Sequence, residues 1–137
     1  MVRYRRNFVP GGTYFFTVTL ADRTSSALVH HVDALRKAFR ITRHERPFTI
    51  EAIAILPEHL HAIWTLPSGD SDFSGRWKRI KGHFTHRLVA AGVPVRRHRN
   101  GDYALWQRQC RRPLDRFRQA EGLIPDFAEF TLGVPKV

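Results

Sequence analysis

The sequence predicts an α+β domain in which helices pack on one face of an antiparallel sheet. Three observations carry that reading. Short runs rich in β-branched and aromatic residues alternate with longer amphipathic runs. Their order is strand, helix, strand, strand, helix, hairpin. The middle two strands are separated only by Pro57-Glu58, a connection short enough to demand antiparallel neighbours.

Residues 1–12 read as a basic arm ending in the turn signal Pro10-Gly11-Gly12. Thr13 to Leu20 (TYFFTVTL) is the first strand. A polar loop spans Ala21 to Ser26. From Val32 to about His44, Val32, Leu35 and Phe39 recur at helical spacing while Arg36, Lys37, Arg40 and Arg43 fall elsewhere. Arg46-Pro47 ends that helix, because the residue before proline is pushed out of the helical region. Phe48 to Leu56 and His59 to Leu66 are the second and third strands. Asp72 is the expected N-cap of a long helix whose apolar stripe is Phe73, Trp77, Ile80, Phe84 and Leu88, with Gly92 as the stop. Asn100-Gly101 then marks a hairpin within Val93 to Gln109.

The 137 residues bound the chain to one compact domain. A composition of 42% hydrophobic and 26% charged residues excludes wholesale disorder. The net charge is +11, and Arg outnumbers Lys 19 to 4. A GC-rich genome accounts for the Arg:Lys ratio but not for the net charge, which points to a polyanionic partner. The charge is uneven: residues 1–118 carry +13 and residues 119–137 carry −2. Cys110 is the single cysteine, which excludes a disulfide framework and a cysteine zinc site. No apolar run approaches the roughly 20 residues of a membrane span. The basic start Met1 to Arg6 is followed by no apolar signal core, so a cytoplasmic protein without membrane association is expected.

His59-Leu60-His61 is the chemical focus. Side chains alternate along a strand, so both imidazoles share one face and Leu60, Ala62 and Trp64 take the other. Such a pair can chelate one ion, or it can be two partly exposed histidines with no special role. Without thiolate the donors suit Mn or Zn, and Mg if oxygens complete the shell. Glu58 or Glu51 could add a carboxylate, and spacing does not choose between them. The charged side of the second helix (Arg76, Lys78, Arg79, Arg87) and the run Arg96-Arg97-His98-Arg99 are candidate phosphate contacts. Tyr103 is the one tyrosine downstream of the histidine pair and is a weak candidate nucleophile; it is otherwise a cross-strand aromatic contact.

Several stretches resemble the REP-associated tyrosine transposases, relatives of the single-strand insertion-sequence transposases. They are Tyr4-Arg5-Arg6 through Pro10 to Val18, then Arg46-Pro47-Phe48, and Leu56-Pro57-Glu58-His59-Leu60-His61-Ala62-Ile63-Trp64 through Pro67. Asp72-Phe73-Ser74, Arg76-Trp77, Ile80-Lys81 and Trp106-Gln107-Arg108 follow in the family's order. The resemblance implies a ferredoxin-like palm in which His59 and His61 hold a divalent metal, Mg2+ or Mn2+. It implies single-stranded or hairpin DNA as partner, with Arg3, Arg5 and Arg6 matching the family's DNA-binding arm. It also implies metal-assisted cleavage and rejoining through a 5′-phosphotyrosine, by a monomer or a dimer.

After Trp106 the chain departs from that pattern. The family continues into a helix bearing the nucleophilic Tyr, whereas residues 110–137 hold no Tyr and no His. The expectation is therefore a transposase-like palm over 1–109 and a divergent, frameshifted or truncated tail over 110–137. Strand cleavage would be impaired, and an apolar sheet face left uncovered, with marginal stability as the consequence. The alternative is a non-catalytic module that binds single-stranded DNA or RNA, since such folds also serve RNA recognition.

Overall fold

The computed structural model describes residues 10–107. Its elements are β1 (Thr13–Thr19), α1 (Ala27–His30), α2 (Val32–Glu45), β2 (Thr49–Ile55), β3 (His59–Thr65) and α3 (Phe73–Ala90). The three strands lie in the order β1-β3-β2, with β3 antiparallel to both neighbours. This is the split βαβ arrangement expected from the sequence.

The sheet has two distinct faces. Tyr14, Phe16 and Val18 of β1 join Leu60, Ala62 and Trp64 of β3 in the main core, together with Leu35 and Phe39 of α2 and Trp77, Ile80, Phe84 and Leu88 of α3. Trp64 and Trp77 stack at 4.2 Å and 19° at its centre, and Phe16 meets both rings. The opposite, outer face carries Thr13, Phe15, Thr17 and Thr19 of β1 opposite Thr65, Ile63, His61 and His59 of β3. A register shift between Ile50 and Ala52 in β2 marks a bulge. The Glu51 carboxylate there accepts a hydrogen bond from Thr65 Oγ1 at 2.9 Å.

Both long helices end where local chemistry dictates. Arg46 adopts an extended conformation ahead of Pro47 and closes α2. Asp72 caps α3 by accepting from the Gly75 backbone N–H at 2.9 Å. A Cβ on Gly75 would stand 2.5 Å from Asp72 Oδ2, so a side chain at this position requires the capping carboxylate to shift.

The expected hairpin over Val93 to Gln109 is shorter than its sequence suggests. Gly101 has φ of +91°, and the pairing is a single bridge between Arg97 and Tyr103. The chain then leaves its hairpin partner and runs antiparallel along the edge of β1. Trp106 bridges to Leu20, Ala21 N–H donates to Leu105 O, and Gln107 N–H donates to Thr19 O. That edge is the place of the fourth strand in the β-α-β-β-α-β pattern.

The outer face is not an exposed apolar surface, contrary to expectation. Phe15, Ala52 and Ile63 are buried there, and Phe15 is covered in part by the His61 ring, stacked on it at 5.7 Å. The large hydrophobic side chains exposed among the described residues are Val29 and Leu56. The boundary at 109/110 and the tail lie outside the described residues.

Candidate metal centre and nucleic-acid interface

The strand period does place His59 and His61 on one face, the outer one. Their ring centroids are 5.0 Å apart and nearly perpendicular. Both side chains are partly buried rather than sealed. Each imidazole is held through Nδ1, but by a different element. His59 Nδ1 lies 2.5 Å from Glu58 Oε1. His61 Nδ1 lies 2.9 Å from Thr17 Oγ1, across the β1–β3 pairing. A partner on Nδ1 orients an imidazole to offer Nε2, which is the usual arrangement behind metal-binding histidines.

Glu58 is the carboxylate that meets His59; Glu51 is tied to Thr65 instead. Glu58 also forms an ion pair with Arg23 from the loop after β1, at 3.0 Å. Burial works to raise the Glu58 carboxyl, but the hydrogen bond and charge of His59 and the charge of Arg23 outweigh it, and the net effect is a lowering. The group is thus an anion held between two cationic or donating neighbours.

The donor set fits a divalent cation in part. Two oriented imidazoles supply nitrogen ligands of the right type. Among the described residues no cluster of three or more His, Cys, Asp or Glu could hold a metal. A bound ion would therefore draw its remaining ligands from water, from a phosphate, or from residues beyond 107.

The basic residues sort into three groups. Arg76 is the clear correction. It is 1% exposed, and its guanidinium donates to both Asp70 carboxylate oxygens, at 3.0 and 2.8 Å, and to the backbone oxygens of Arg46, Pro47 and Asp72. It ties the α2–β2 connection to the start of α3 and is not available for phosphate. The sequence held the signal: Arg76 follows Phe73 by three positions and precedes Ile80 by four, so it lies on the apolar stripe. In return, the Arg76 hydrogen bonds and the Asp72 backbone N–H hold the Asp70 carboxyl down at about 2, from an ordinary 3.8.

Lys78, Arg79, Arg96, Arg97 and Arg99 are exposed, as a phosphate contact requires. Arg79 also pairs with Glu45 at 2.6 Å. Arg97 lies over the Tyr103 ring at 4.4 Å and donates to its hydroxyl at 2.8 Å. Arg3, Arg5 and Arg6 lie outside the described residues.

Tyr103 is not brought to the histidines. It faces a cleft of about 770 Å³ lined by Trp77, Lys78, Thr85 and His86 of α3, on the helix-covered side of the sheet. Tyr14 is fully buried in the core. Thr17 and Arg23 are the site residues the sequence did not reveal. Thr17 reaches His61 through a strand register that no local pattern encodes, and Arg23 reaches Glu58 through a loop.

The described residues form a βαββα sheet scaffold with a His-x-His pair on its outer face, and comparison with known proteins gives the class as transposase. No family model matches the chain. It is 52% identical over 86 residues to the REP-associated tyrosine transposase of Escherichia coli (strain K12), covering 63% of this chain and 52% of that protein. A relative from Haemophilus influenzae carrying the same family name is 37% identical over 111 residues, covering 80% of this chain and 63% of its own. The chain thus spans between half and two thirds of these curated relatives. The solved structure of a REP-associated tyrosine transposase bound to a REP hairpin superposes with a TM-score of 0.68 at 38% identity, covering 95% of this chain and 76% of that one. A crystal structure from Deinococcus radiodurans, 15% identical with a TM-score of 0.56, shares the fold. The chain belongs to the REP-associated tyrosine transposases.

Proposed function

We propose that this chain binds hairpin-bearing single-stranded DNA and holds a divalent cation, Mg2+ or Mn2+, at His59 and His61. The single observation that carries this is the pair of imidazoles on one sheet face, each held at Nδ1, in a protein of net charge +11. The solved relative with a bound REP hairpin supports the DNA class. A cation bound at His59 and His61 would supply Lewis-acid polarisation of a phosphate. The chain's own residues do the rest. His59 and His61 bind; Lys78, Arg79, Arg96, Arg97 and Arg99 neutralise backbone charge, as do Arg3, Arg5 and Arg6 of the arm. DNA as partner goes with a cytoplasmic location.

The family reaction, cleavage and rejoining through a 5′-phosphotyrosine, is impaired in this chain. Tyr14 is sealed in the core, Tyr103 faces the helix side, residues 110–137 hold no tyrosine, and the third tyrosine, Tyr4, belongs to the basic arm outside the described residues. These placements favour a second reading of the same site, a non-catalytic binding module. Incubation of the full chain with labelled hairpin DNA and Mn2+ tests both. Retained DNA without a covalent adduct is the expected result. An adduct would show that cleavage survives, and failure to bind hairpin DNA would overturn the functional reading.

A further inference from the structure

We propose that Glu58, itself held by Arg23, is the positioning residue for His59, fixing the proton on Nδ1 so that Nε2 is the metal-binding nitrogen. The inference deepens the proposed metal role of the histidine pair and rests on it for its affinity consequence, though not for its tautomer consequence.

The geometry is specific. Glu58 Oε1 is 2.5 Å from His59 Nδ1, and Oε2 is 3.0 Å from Arg23 Nε, so one carboxylate bridges the imidazole and the guanidinium. The Glu58 side chain is 16% exposed while Arg23 is 66% exposed, so the chain of contacts runs from solvent inward to the ring. The backbone around Glu58 is fixed as well. Leu20 N–H donates to Glu58 O at 2.8 Å, Leu28 N–H to Pro57 O at 3.1 Å, and Leu56 N–H to His59 O at 2.8 Å. The β2–β3 turn is thereby anchored to the end of β1 and to α1, which fixes the backbone from which the carboxylate reaches the ring. A carboxylate acceptor leaves neutral imidazole one favourable state, with Nδ1 protonated and the lone pair on Nε2. His61 has instead the Thr17 hydroxyl 2.9 Å from its Nδ1, a group that can donate or accept and so orients the ring without selecting its tautomer.

Two readouts on the full chain test this. Nitrogen-15 NMR of the imidazoles at a pH where they are neutral, without metal, reports the His59 tautomer. The Nδ1-protonated form is expected in the natural protein and in Glu58→Gln, whose amide oxygen still accepts, and a tautomer mixture is expected in Glu58→Ala. Mn2+ binding followed by electron paramagnetic resonance is expected to weaken about tenfold in Glu58→Ala, the lower end for loss of an orienting partner, and less in Arg23→Ala. Circular dichroism confirms that each variant is folded, and Arg23→Ala serves if Glu58→Ala is not. An unchanged His59 tautomer in folded Glu58→Ala overturns the proposal. Absence of Mn2+ binding by every form, with the tautomer shifted as expected, overturns the metal reading and leaves the positioning role standing.

Discussion

Arg76 is the buried cation that joins the α2–β2 connection to the start of α3. Beside Lys78 and Arg79 it reads as part of a solvated basic face. In the fold it is buried, and its donors are consumed by Asp70 and three backbone oxygens. Removing Arg76 takes the donor away from three backbone oxygens, and an acceptor left unsatisfied in the interior costs about 1–3 kcal/mol, while the partly exposed Asp70 turns to water. Arg76→Ala is therefore expected to lower the denaturant midpoint sharply, whereas Lys78→Ala leaves it near the natural value. Equilibrium urea unfolding of the two variants checks the contrast. Asp70 adds a pH signature. Its folded pKa, about 2, lies below the ordinary 3.8, so it contributes stability above that ordinary value. That contribution is lost as pH falls through the folded value. Asp70 is 35% exposed, so solvent screening keeps the effect modest. Asp70→Asn is expected to flatten the stability loss between pH 4 and pH 2 in acid titrations of unfolding.

At the level of elements, α3 illustrates what periodicity can and cannot convey. Its start at Asp72 and its stripe of Phe73, Trp77, Ile80, Phe84 and Leu88 were legible, because capping chemistry and a 3.6-residue period are local. The close approach of the Asp72 carboxylate to Gly75 was not, since it comes from the cap folding back over the first turn. Ala is ordinarily the better helix former, by about 1 kcal/mol. Gly75→Ala is expected not to realise that gain and to leave the melting temperature unchanged or lower, because the new Cβ pushes aside the Asp72 carboxylate that caps the helix. Thermal melting of the variant checks the sign. The segment after Asn100-Gly101 teaches the same lesson for strands. The turn was readable, but Leu105 to Gln107 pair with β1, a partner far away in sequence. The histidine pair was placed correctly on one face by strand alternation alone, while its partners Thr17 and Arg23 depend on register and loop packing.

For the whole molecule, the excess of positive charge is the property that bears most directly on function. If exposed Arg side chains of the 96–99 run meet DNA phosphates, each contact releases counterions, and log affinity falls with log salt by about 0.7 per contact on a single strand. Replacing Arg96, Arg97 and Arg99 by Ala is expected to weaken hairpin binding and to flatten that slope, measured by fluorescence anisotropy across a salt series. The two imidazoles of β3 are the groups on which metal and DNA binding would meet. The most direct measurement is Mn2+ uptake by the full chain and by His59→Ala/His61→Ala, with and without hairpin DNA. The natural protein is expected to bind Mn2+, more tightly when DNA is present, and the double variant to lose that binding while remaining folded. Equal Mn2+ uptake by the two proteins would contradict the account.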